Sequence, residues 1–392
     1  MDKFEYFNPV KVVFGEGSLK QIGKEASVYG KRALLVSYTI VSFFQNAIDT
    51  IKESLAKEGI EVFECFNVTP NPTLNSVREG VELIKKHKID FLIGLGGGSA
   101  MDATKVMAAG ALYGDDVSKM IMFSHSNVTS VPPKVAMPTI MVPTLPATGS
   151  EMNPTAVVTE PETKRKSYVW TPCLYPKVAI MDPELTKSLP PYQTACGAFD
   201  IFAHIMEAYV NPIPNVNLDL QDRMQEGVMK CVLETIPKVF ENPTDLQLRG
   251  VLMWAASIGL NGWLTSGTFG FTPMHQMGHV LSSHYGATHG ATLACMMHTW
   301  MRYFATRPDN ERYQQLAYRI FDCPLLEAAD KFEKIMRERG VQTRIHEFGA
   351  EKDDIDELTN AVVEISFGPD GKLPGHPQMT KEDIKKLFEL SY

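Results

Sequence analysis

Four of the ten histidines in this 392-residue chain fall close together, at His275, His279, His284 and His289. On a helix, His275 and His279 share a face because they are four positions apart, whereas His284 points to the opposite side. His289 lies too far along an unbroken helix to meet His275, so a shared site requires the chain to turn back. The segment Tyr285–Thr288 can supply that turn. Any one of these histidines is by itself typical of an ordinary core or surface histidine, and a metal site is favoured only when the H-x-x-x-H pair is taken together with a second pair.

A second candidate pair, Asp200 and His204, lies in an apolar amphipathic run. The D-x-x-x-H spacing puts both side chains on one helix face, where a carboxylate is costly unless it is paired or metal-bound. With His275 and His289, the pair gives one carboxylate and three imidazoles, which suits Fe(II), Zn(II) or another divalent transition metal. Gln276 stands where the H-E-x-x-H motif has its glutamate, so a zinc protease is disfavoured.

Two loops have the composition of a site for a phosphorylated cofactor. Gly96–Ser99 leads into the helical run Met101–Ala111, and a glycine turn at a helix N-terminus favours an anion. Ser99 and Asp102 fit a capping box that opens this helix. The second loop, Pro143–Glu151, is rich in hydroxyls and short residues that suit another part of the same cofactor. Taken alone, the first loop has a tight strand–helix turn without a ligand as its alternative, and the second loop has a solvated turn.

The elements that position these residues alternate between strand and helix in the first half of the chain. Apolar runs predict strands at Ala33–Val36, Glu61–Phe66, Ile89–Leu95, Lys134–Val142 and Val178–Met181, and helical spacing predicts helices over 43–59 and 74–88. This alternation argues for a parallel α/β sheet. After Pro190 the pattern predicts one helix after another. We therefore expect an α/β domain over 1–190 and an all-α domain over 191–392.

Composition excludes several classes of protein. Charged residues make up 21% of the chain and the net charge is −8, which argues against nucleic-acid binding and against a polybasic membrane surface. No apolar run is long enough for a membrane span, and the N-terminus lacks the apolar core of a secretory signal. Six scattered cysteines without a C-x-x-C pair fit free thiols. The expectation is a cytoplasmic protein with a small-molecule partner and neither a nucleic-acid nor a membrane partner.

The order and spacing of these motifs resemble the iron-dependent (group III) alcohol dehydrogenase family over nearly the whole chain. The segments that carry the resemblance are Phe7–Gly15, Pro70–Thr73, Gly96–Asp102, Pro143–Glu151, Leu189–Glu207 and the histidine cluster through Gly290. Thr144–Glu151 is most similar to the branch with butanol dehydrogenases and NADPH-dependent aldehyde reductases. The resemblance implies an α/β N-terminal Rossmann-like domain with a parallel sheet and an all-α C-terminal domain, a dehydroquinate synthase-like architecture with the cofactor in the cleft.

The resemblance also implies a role for each candidate residue. The metal would be held by Asp200, His204, His275 and His289, while His279 would lie near the nicotinamide as a proton-relay residue. The cofactor would be held by Gly97, Gly98, Ser99 and Asp102 around the pyrophosphate, and by Thr144, Leu145 and Ser150 around the ribose and nicotinamide. Tyr38 occupies the position where NAD-preferring members often have an acidic residue. No Asp or Glu occurs from 32 to 46, so NADP(H) is favoured over NAD(H).

The expected activity is metal-dependent hydride transfer between NAD(P)H and a small aldehyde or primary alcohol, with short unbranched aldehydes as the best substrates. The alternatives are a related polyol or glycerol dehydrogenase, a dehydroquinate synthase-like lyase, or a metal- or nucleotide-binding protein without activity. The lack of a clear basic cluster disfavours a phosphorylated substrate, and the intact ligand set disfavours lost chemistry. A homo-oligomer is expected, with a dimer favoured, and Phe4–Phe14 is a candidate edge strand for pairing between subunits.

Overall fold

The computed structural model describes residues 3–268 and 270–392. The strands of its main sheet are β1 (Lys11–Phe14), β2 (Arg32–Tyr38), β3 (Glu61–Val68), β4 (Phe91–Gly96), β5 (Thr139–Pro143) and β8 (Val178–Met181). They form one six-stranded sheet in the order β1-β8-β5-β4-β2-β3, and every neighbouring pair is parallel. The chain passes from β2 to β3 at one edge of the sheet and then returns to β4 on the other side of β2. The strand order therefore reverses between β2 and β4, and the carboxyl ends of these strands form a crevice suited to a ligand.

Helices cover both faces of this sheet, as a parallel sheet requires. They are α1 (Ile22–Ala26), α2 (Gln45–Lys57), α3 (Leu74–His87) and α4 (Gly98–Gly110). The apolar spacing that predicts α2 and α3 is confirmed, since Ile48, Ile51 and Leu55 of α2 and Val77 and Val81 of α3 are buried. The β2, β3, β4 and β8 strands also lie where the apolar runs predict them.

The predicted strand at Lys134–Val142 is wrong in its first half. The structure has a strand only from Thr139, because Pro138 lacks an N–H group and the preceding residue, Met137, donates its own to the carbonyl of Ala108 in α4. A second difference is an antiparallel hairpin, β6 (Thr155–Glu160) and β7 (Arg165–Trp170), which was not predicted. This hairpin packs against α4 on one side and the helical region on the other.

The rest of the chain is helical. Its helices are α5 (Pro191–Val210), α6 (Asp219–Glu241), α7 (Leu246–Leu260), α8 (Pro273–Tyr285), α9 (His289–Ala305), α10 (Glu311–Leu316), α11 (Leu325–Glu338), α12 (Ile355–Ser366) and α13 (Lys381–Ser391). Helices α5, α9 and α11 form the centre, where Phe199, Phe202 and Phe332 pack their rings together. The predicted order, a parallel α/β sheet followed by a helical region, is confirmed. Among the described helices, none combines the length and the apolar character that crossing a bilayer requires.

Candidate active site

A cleft of about 1160 Å³ runs from the carboxyl ends of β2, β3, β4 and β5 to the helices α5 and α8. All thirteen residues proposed for the site from the sequence line this cleft: Tyr38, Gly97, Gly98, Ser99, Asp102, Thr144, Leu145, Ser150, Asp200, His204, His275, His279 and His289. The two loops and the histidine cluster, which are far apart in sequence, therefore face one space.

At the helical end of the cleft, one carboxylate and two imidazoles converge. Ligand atoms of Asp200, His275 and His289 all lie within 4.8 Å of one another. His204 lies beside this group, with its ring centroid 4.6 Å from that of His275. The D-x-x-x-H spacing of α5 and the H-x-x-x-H spacing of α8 thus each bring one side chain, Asp200 and His275, into the group and leave the other, His204 and His279, beside it.

The chain reverses between α8 and α9, as the sequence predicts. Helix α8 ends at Tyr285, Gly286 follows with a φ of 63°, and α9 begins at His289. The rings of His275 and His289 then lie 5.4 Å apart, while His284 faces away and bonds the carbonyl of Val280.

Helix α9 approaches α5 very closely where it begins. A Cβ atom on Gly290 would lie 2.1 Å from the carbonyl oxygen of Cys196 in α5, which is far inside van der Waals contact. Only glycine fits at this position. The contact brings the first turn of α9, which carries His289, next to the part of α5 that carries Asp200.

Burial sets the charge state of the histidines. It lowers the pKa of His204, His279 and His289 well below the ordinary value, so these rings are neutral at pH 7. Burial also raises the pKa of Asp200 to about 6, an effect that the nearby His275 and Lys166 oppose.

The buried polar atoms of this group fit a divalent cation. Oδ1 of Asp200, Nδ1 of His204 and Nε2 of His275 have no hydrogen-bond partner among the described residues, and Nδ1 of His289 has none either. Such orphaned atoms are costly in a protein interior. Neutral imidazoles and a carboxylate are the donors that Fe(II) and Zn(II) prefer, and a bound ion would satisfy them.

Glu207 fixes the orientation of His275. One carboxylate oxygen bonds Nδ1 of His275, and the other accepts the backbone N–H groups of Met274 and His275 in the first turn of α8. Burial lowers the pKa of His275, but the charge and hydrogen bond of Glu207 outweigh that effect and raise it. Because Nδ1 is held, Nε2 is the atom that faces the group of ligands.

His279, like His204, lies beside the group of Asp200, His275 and His289. Its ring centroid is 5.1 Å from that of His289 and 6.2 Å from that of His275. Its Nδ1 is buried and has no hydrogen-bond partner among the described residues. A neutral imidazole in this position can pass a proton from one ring nitrogen while the other takes one up.

The glycine turn is formed as predicted, but the capping box is wrong. Helix α4 begins at Gly98 after an extended Gly97, and no side chain caps it. The Asp102 carboxylate turns inward and accepts Ser150 Oγ at 2.6 Å and the backbone N–H of Val157 at 2.9 Å. Ser99 Oγ instead accepts the N–H of Asn71. Asp102 and Ser150 therefore bind each other and hold the two loops together beneath the cleft.

A buried lysine completes this connection. Lys105, which is fully inaccessible, donates to Ser150 Oγ and to the carbonyls of Asn153 and Thr155, each at 2.8 Å. Burial lowers the pKa of Lys105 to about 8, and the charges of Asp102 and Glu151 oppose that shift. The sequence-based reasoning missed Lys105 and Glu207. The signal was present, since each is a charged residue in an apolar helical run, the same criterion that selected Asp200.

Tyr38 contacts the glycine turn directly. Its hydroxyl accepts the N–H of Gly97 at 3.2 Å, and its ring stacks on Phe44. The next residue, Thr39, is exposed and also lines the cleft. The carboxylates among the described cleft residues are Asp102 and Asp200, so none lies at the end of β2.

Comparisons with known proteins agree along the full length of the chain. A model described as iron-containing alcohol dehydrogenase matches residues 9–183, and the model of the C-terminal part of the Fe-containing alcohol dehydrogenase family matches residues 194–392.

Individual relatives cover the whole chain. It is 35% identical to the probable NADH-dependent butanol dehydrogenase 1 of Bacillus subtilis (strain 168), with 100% of both chains aligned. It is 30% identical to the NADPH-dependent aldehyde reductase YqhD of Escherichia coli (strain K12), again over 100% of both. The crystal structure of NADH-dependent butanol dehydrogenase A from Thermotoga maritima matches with a TM-score of 0.92 and 34% identity, covering 100% of this chain and 99% of that one.

Proposed function

The chain belongs to the iron-containing alcohol dehydrogenase family, and on this basis we propose how its cleft transfers a hydride between NAD(P)H and a small aldehyde or primary alcohol. It is an oxidoreductase that uses a nicotinamide cofactor and a metal. The observation that carries the assignment of residues is the convergence of Asp200, His275 and His289 in the cleft that also receives the glycine turn.

We assign the metal to Asp200, His204, His275 and His289. The support is the burial of Asp200, His204 and His275, the orphaned donor atoms of all four residues and the orientation of His275 by Glu207. Iron is the metal in the family's name, and the same donors suit Zn(II). When bound, the metal supplies a Lewis acid for the substrate oxygen, and the nicotinamide supplies or takes the hydride.

The residues of the sheet side bind and orient the cofactor in this proposal. Gly97, Gly98 and Ser99 hold the pyrophosphate, because the first amides of α4 have no partner within the helix and its dipole favours an anion. Thr144 and Leu145, which follow β5, line the ribose and nicotinamide portion. Asp102 and Ser150 lie beneath the cofactor site in this proposal, and the hydrogen bond between them holds the two loops together.

His279 moves the proton in this proposal. Aldehyde reduction leaves an alkoxide that needs a proton, and alcohol oxidation releases one. The support for His279 is its neutral, buried ring next to the ligand group and its unpartnered Nδ1. A hydroxyl of the cofactor ribose is the expected next member of the relay.

The expected substrates are short unbranched aldehydes, reduced by NADPH at least as well as by NADH. Apolar side chains, including Leu189, Leu260 and Phe271, line the helical wall of the cleft and suit an alkyl group. The cofactor preference rests on the lack of a carboxylate at the end of β2, which would otherwise repel a 2′-phosphate.

The test is oxidation of NADH and NADPH with butanal by purified protein, before and after chelation and after addition of Fe(II) or Zn(II). We expect activity that is lost with the metal and restored by it. Background rates with every simple aldehyde and primary alcohol would overturn the substrate class.

A homodimer and a cytoplasmic location complete the proposal. Strand β1 lies at the sheet edge, and Phe7, Phe14 and Trp254 near it are exposed, which favours pairing with a second copy. Light scattering of wild type and of a Phe14→Asp variant tests this, with a monomeric wild type as the contradicting result.

The six free thiols support a reducing compartment.

A further inference from the structure

A tyrosine of the β6–β7 hairpin faces the cleft, and the roles above do not use it. In strand β7 the side chains of Lys166, Tyr168 and Trp170 lie on one face because they are two positions apart, and all three line the cleft. Val157 of β6, which pairs with Tyr168, also lines the cleft. The hairpin therefore forms one wall of the cleft, with Tyr168 near the middle of that wall.

The hydroxyl of Tyr168 forms no hydrogen bond within residues 3–268 and 270–392. Burial raises the pKa of Tyr168 above its ordinary value of 10.0, so the phenol is protonated at pH 7. Met122 and Val157, which line the cleft beside it, are apolar. A tyrosine hydroxyl that is shielded from water usually has a partner, and leaving it unpaired is costly. An oxygen of a bound ligand would supply that partner.

The ring of Tyr168 is held in place by a neighbouring segment. Its centroid lies 5.9 Å from that of His125, and the ring of His125 meets that of Phe271 edge-on at 5.5 Å. The backbone N–H of Met122 donates to the carbonyl of Tyr168 at 2.9 Å. The N–H of His125 donates to the carbonyl of Ile365 in α12 at 3.0 Å. The segment 122–125 thus fixes the ring between the hairpin and the helical region, so its position does not depend on a ligand.

Tyr168 lies on the part of the hairpin that is away from the glycine turn. Helix α4 begins at that turn, and strand β6 follows it. Asp102 accepts the N–H of Val157, and Lys105, farther along α4, donates to the carbonyl of Thr155. Because β7 runs antiparallel to β6, its later residues lie farther along α4 and farther from the turn.

The same direction leads past the proposed metal ligands. Lys166, which is 5% exposed, is near enough to Asp200 and His289 for its charge to lower the pKa of both. Tyr168 lies on the same face of β7, about 6–7 Å farther along the strand. A substrate whose reacting oxygen lies at the metal ligands therefore has the Tyr168 hydroxyl within reach of its chain, a few carbon atoms from the reacting carbon.

We propose that Tyr168 is a specificity-determining residue whose hydroxyl hydrogen-bonds a second oxygen on the substrate chain. The preferred substrates are then a short aldehyde with a hydroxyl on its chain and the corresponding diol. This inference rests on the proposed function, because it places the reacting oxygen at the metal ligands.

The charges of the cleft favour a neutral second oxygen. Among the described residues, Lys166 is the only lysine or arginine that lines the cleft, and it donates to Asn71 on the side of the glycine turn. A carboxylate or phosphate on the substrate chain would therefore meet no cation beside Tyr168. A hydroxyl both donates and accepts, as the phenol does, so the two groups match.

The test compares alcohols of equal length with and without the second hydroxyl. The value of kcat/KM for oxidation of n-butanol, n-pentanol and their terminal diols is measured with metal-loaded wild type and with Tyr168→Phe. We expect the wild type to favour each diol about three- to tenfold, the size of one neutral hydrogen bond, after the diol value is halved for its two equivalent ends. Tyr168→Phe should show no preference, because it keeps the ring and removes only the oxygen.

The change should appear in KM for the diols, while kcat for n-butanol stays as in the wild type. Tyr318→Phe is the matched control, since Tyr318 is a 57% exposed tyrosine outside the cleft, and it should keep the diol preference. Circular dichroism checks the fold of both variants. The preference of the wild type is itself a test that does not depend on the folding of any variant.

Three outcomes would overturn the inference. The first is a wild type with equal kcat/KM for alcohol and diol, and the second is a Tyr168→Phe protein that keeps the preference. The third is an equal fall for both substrates in Tyr168→Phe, which would show that the hydroxyl has only a structural role. A wild type that oxidises neither alcohols nor diols would instead contradict the proposed function, on which the inference rests.

Discussion

The carboxylate of Glu207 bonds Nδ1 of His275 and also accepts the first N–H groups of the helix that carries this histidine. One side chain of α5 thus fixes both the ring of His275 and the start of α8. Glu207 on α5 therefore determines where the ring of His275 lies in the proposed metal site.

Changing Glu207→Gln should weaken metal binding about 10- to 100-fold, as is usual when the partner of a ligating histidine is removed. The amide presents a donor to Nδ1 and no longer fixes the proton there. Competition against a chromogenic chelator, with Zn(II) or anaerobic Fe(II) added to metal-free protein, measures the change. Glu234→Gln on the exposed face of α6 is the control. Equal affinities in both variants would show that Glu207 is not needed for the site.

Replacing a ligand should remove the metal altogether. His275→Ala and His204→Ala are expected to lose bound metal and nearly all activity while remaining folded, because each deletes one of four donors. Metal content by mass spectrometry and the far-ultraviolet circular dichroism spectrum check this. His284→Ala is the control, since His284 lies on the same helix as His275 but faces away. Full activity in a metal-free His275→Ala protein would contradict the assignment.

A carboxylate at the end of β2 should shift cofactor choice toward NADH. Thr39→Asp is the better test than Tyr38→Asp, because the Tyr38 hydroxyl already accepts the N–H of Gly97 and its loss would disturb the turn. We expect kcat/KM with NADPH to fall roughly tenfold or more through repulsion of the 2′-phosphate, with little change for NADH. Thr39→Asn is the control, because asparagine has the size and shape of aspartate without its charge. A wild type with a strong preference for NADH would show that another position sets the choice.

The helical region should lose stability in acid through Glu333 in α11. Burial raises the pKa of Glu333, but hydrogen bonds from Arg337 and Arg302 outweigh this and lower it to about 2. Because the folded pKa lies below the ordinary value of 4.5, the carboxylate stabilises the fold above about pH 4.5. That contribution is lost as the pH falls toward 2.

Glu333→Gln should therefore lower the free energy of unfolding by about 2–3 kcal/mol at pH 7, somewhat less than for a fully buried pair because the arginines are partly exposed. The difference from wild type should shrink below pH 4.5. Urea titrations at pH 7, 4 and 3 measure it, with the exposed Glu338→Gln on the same helix as control. A difference that stays constant down to pH 3 would contradict the prediction.

Local sequence pattern predicted the elements whose faces are apolar on a regular period, such as α2, α3 and β4. It also predicted the reversal before His289, because helical geometry alone excludes a shared site without it. The sequence pattern failed where contacts between residues far apart in the chain determine the structure. The Asp102 carboxylate is three residues after Ser99, yet it bonds Ser150 and Val157, which no spacing rule reveals.

Charged residues within apolar segments were the sequence signal that contributed least to the predicted site. The cost of burying Asp200 selected it as a candidate ligand, and the same reasoning applies to Glu207 in the same helix and to Lys105 in the earlier helix α4. Lys166 was harder to find, since it directly follows two other charged residues, Lys164 and Arg165, in a hairpin. Its burial depends on packing between the sheet and the helical region, which pattern in one segment cannot show.

The close contact between Gly290 and Cys196 has a consequence for redesign of this enzyme. The separation between Asp200 and His289 is determined by two backbones in contact, so it does not depend on the side chains that form the substrate walls. We expect those walls to tolerate wide variation in a mutant library while the distance between Asp200 and His289 stays constant. Even an alanine at position 290 would push α9 away from α5. We expect this displacement to lower activity, although glycine at position 290 has no side chain that could bind a metal or cofactor.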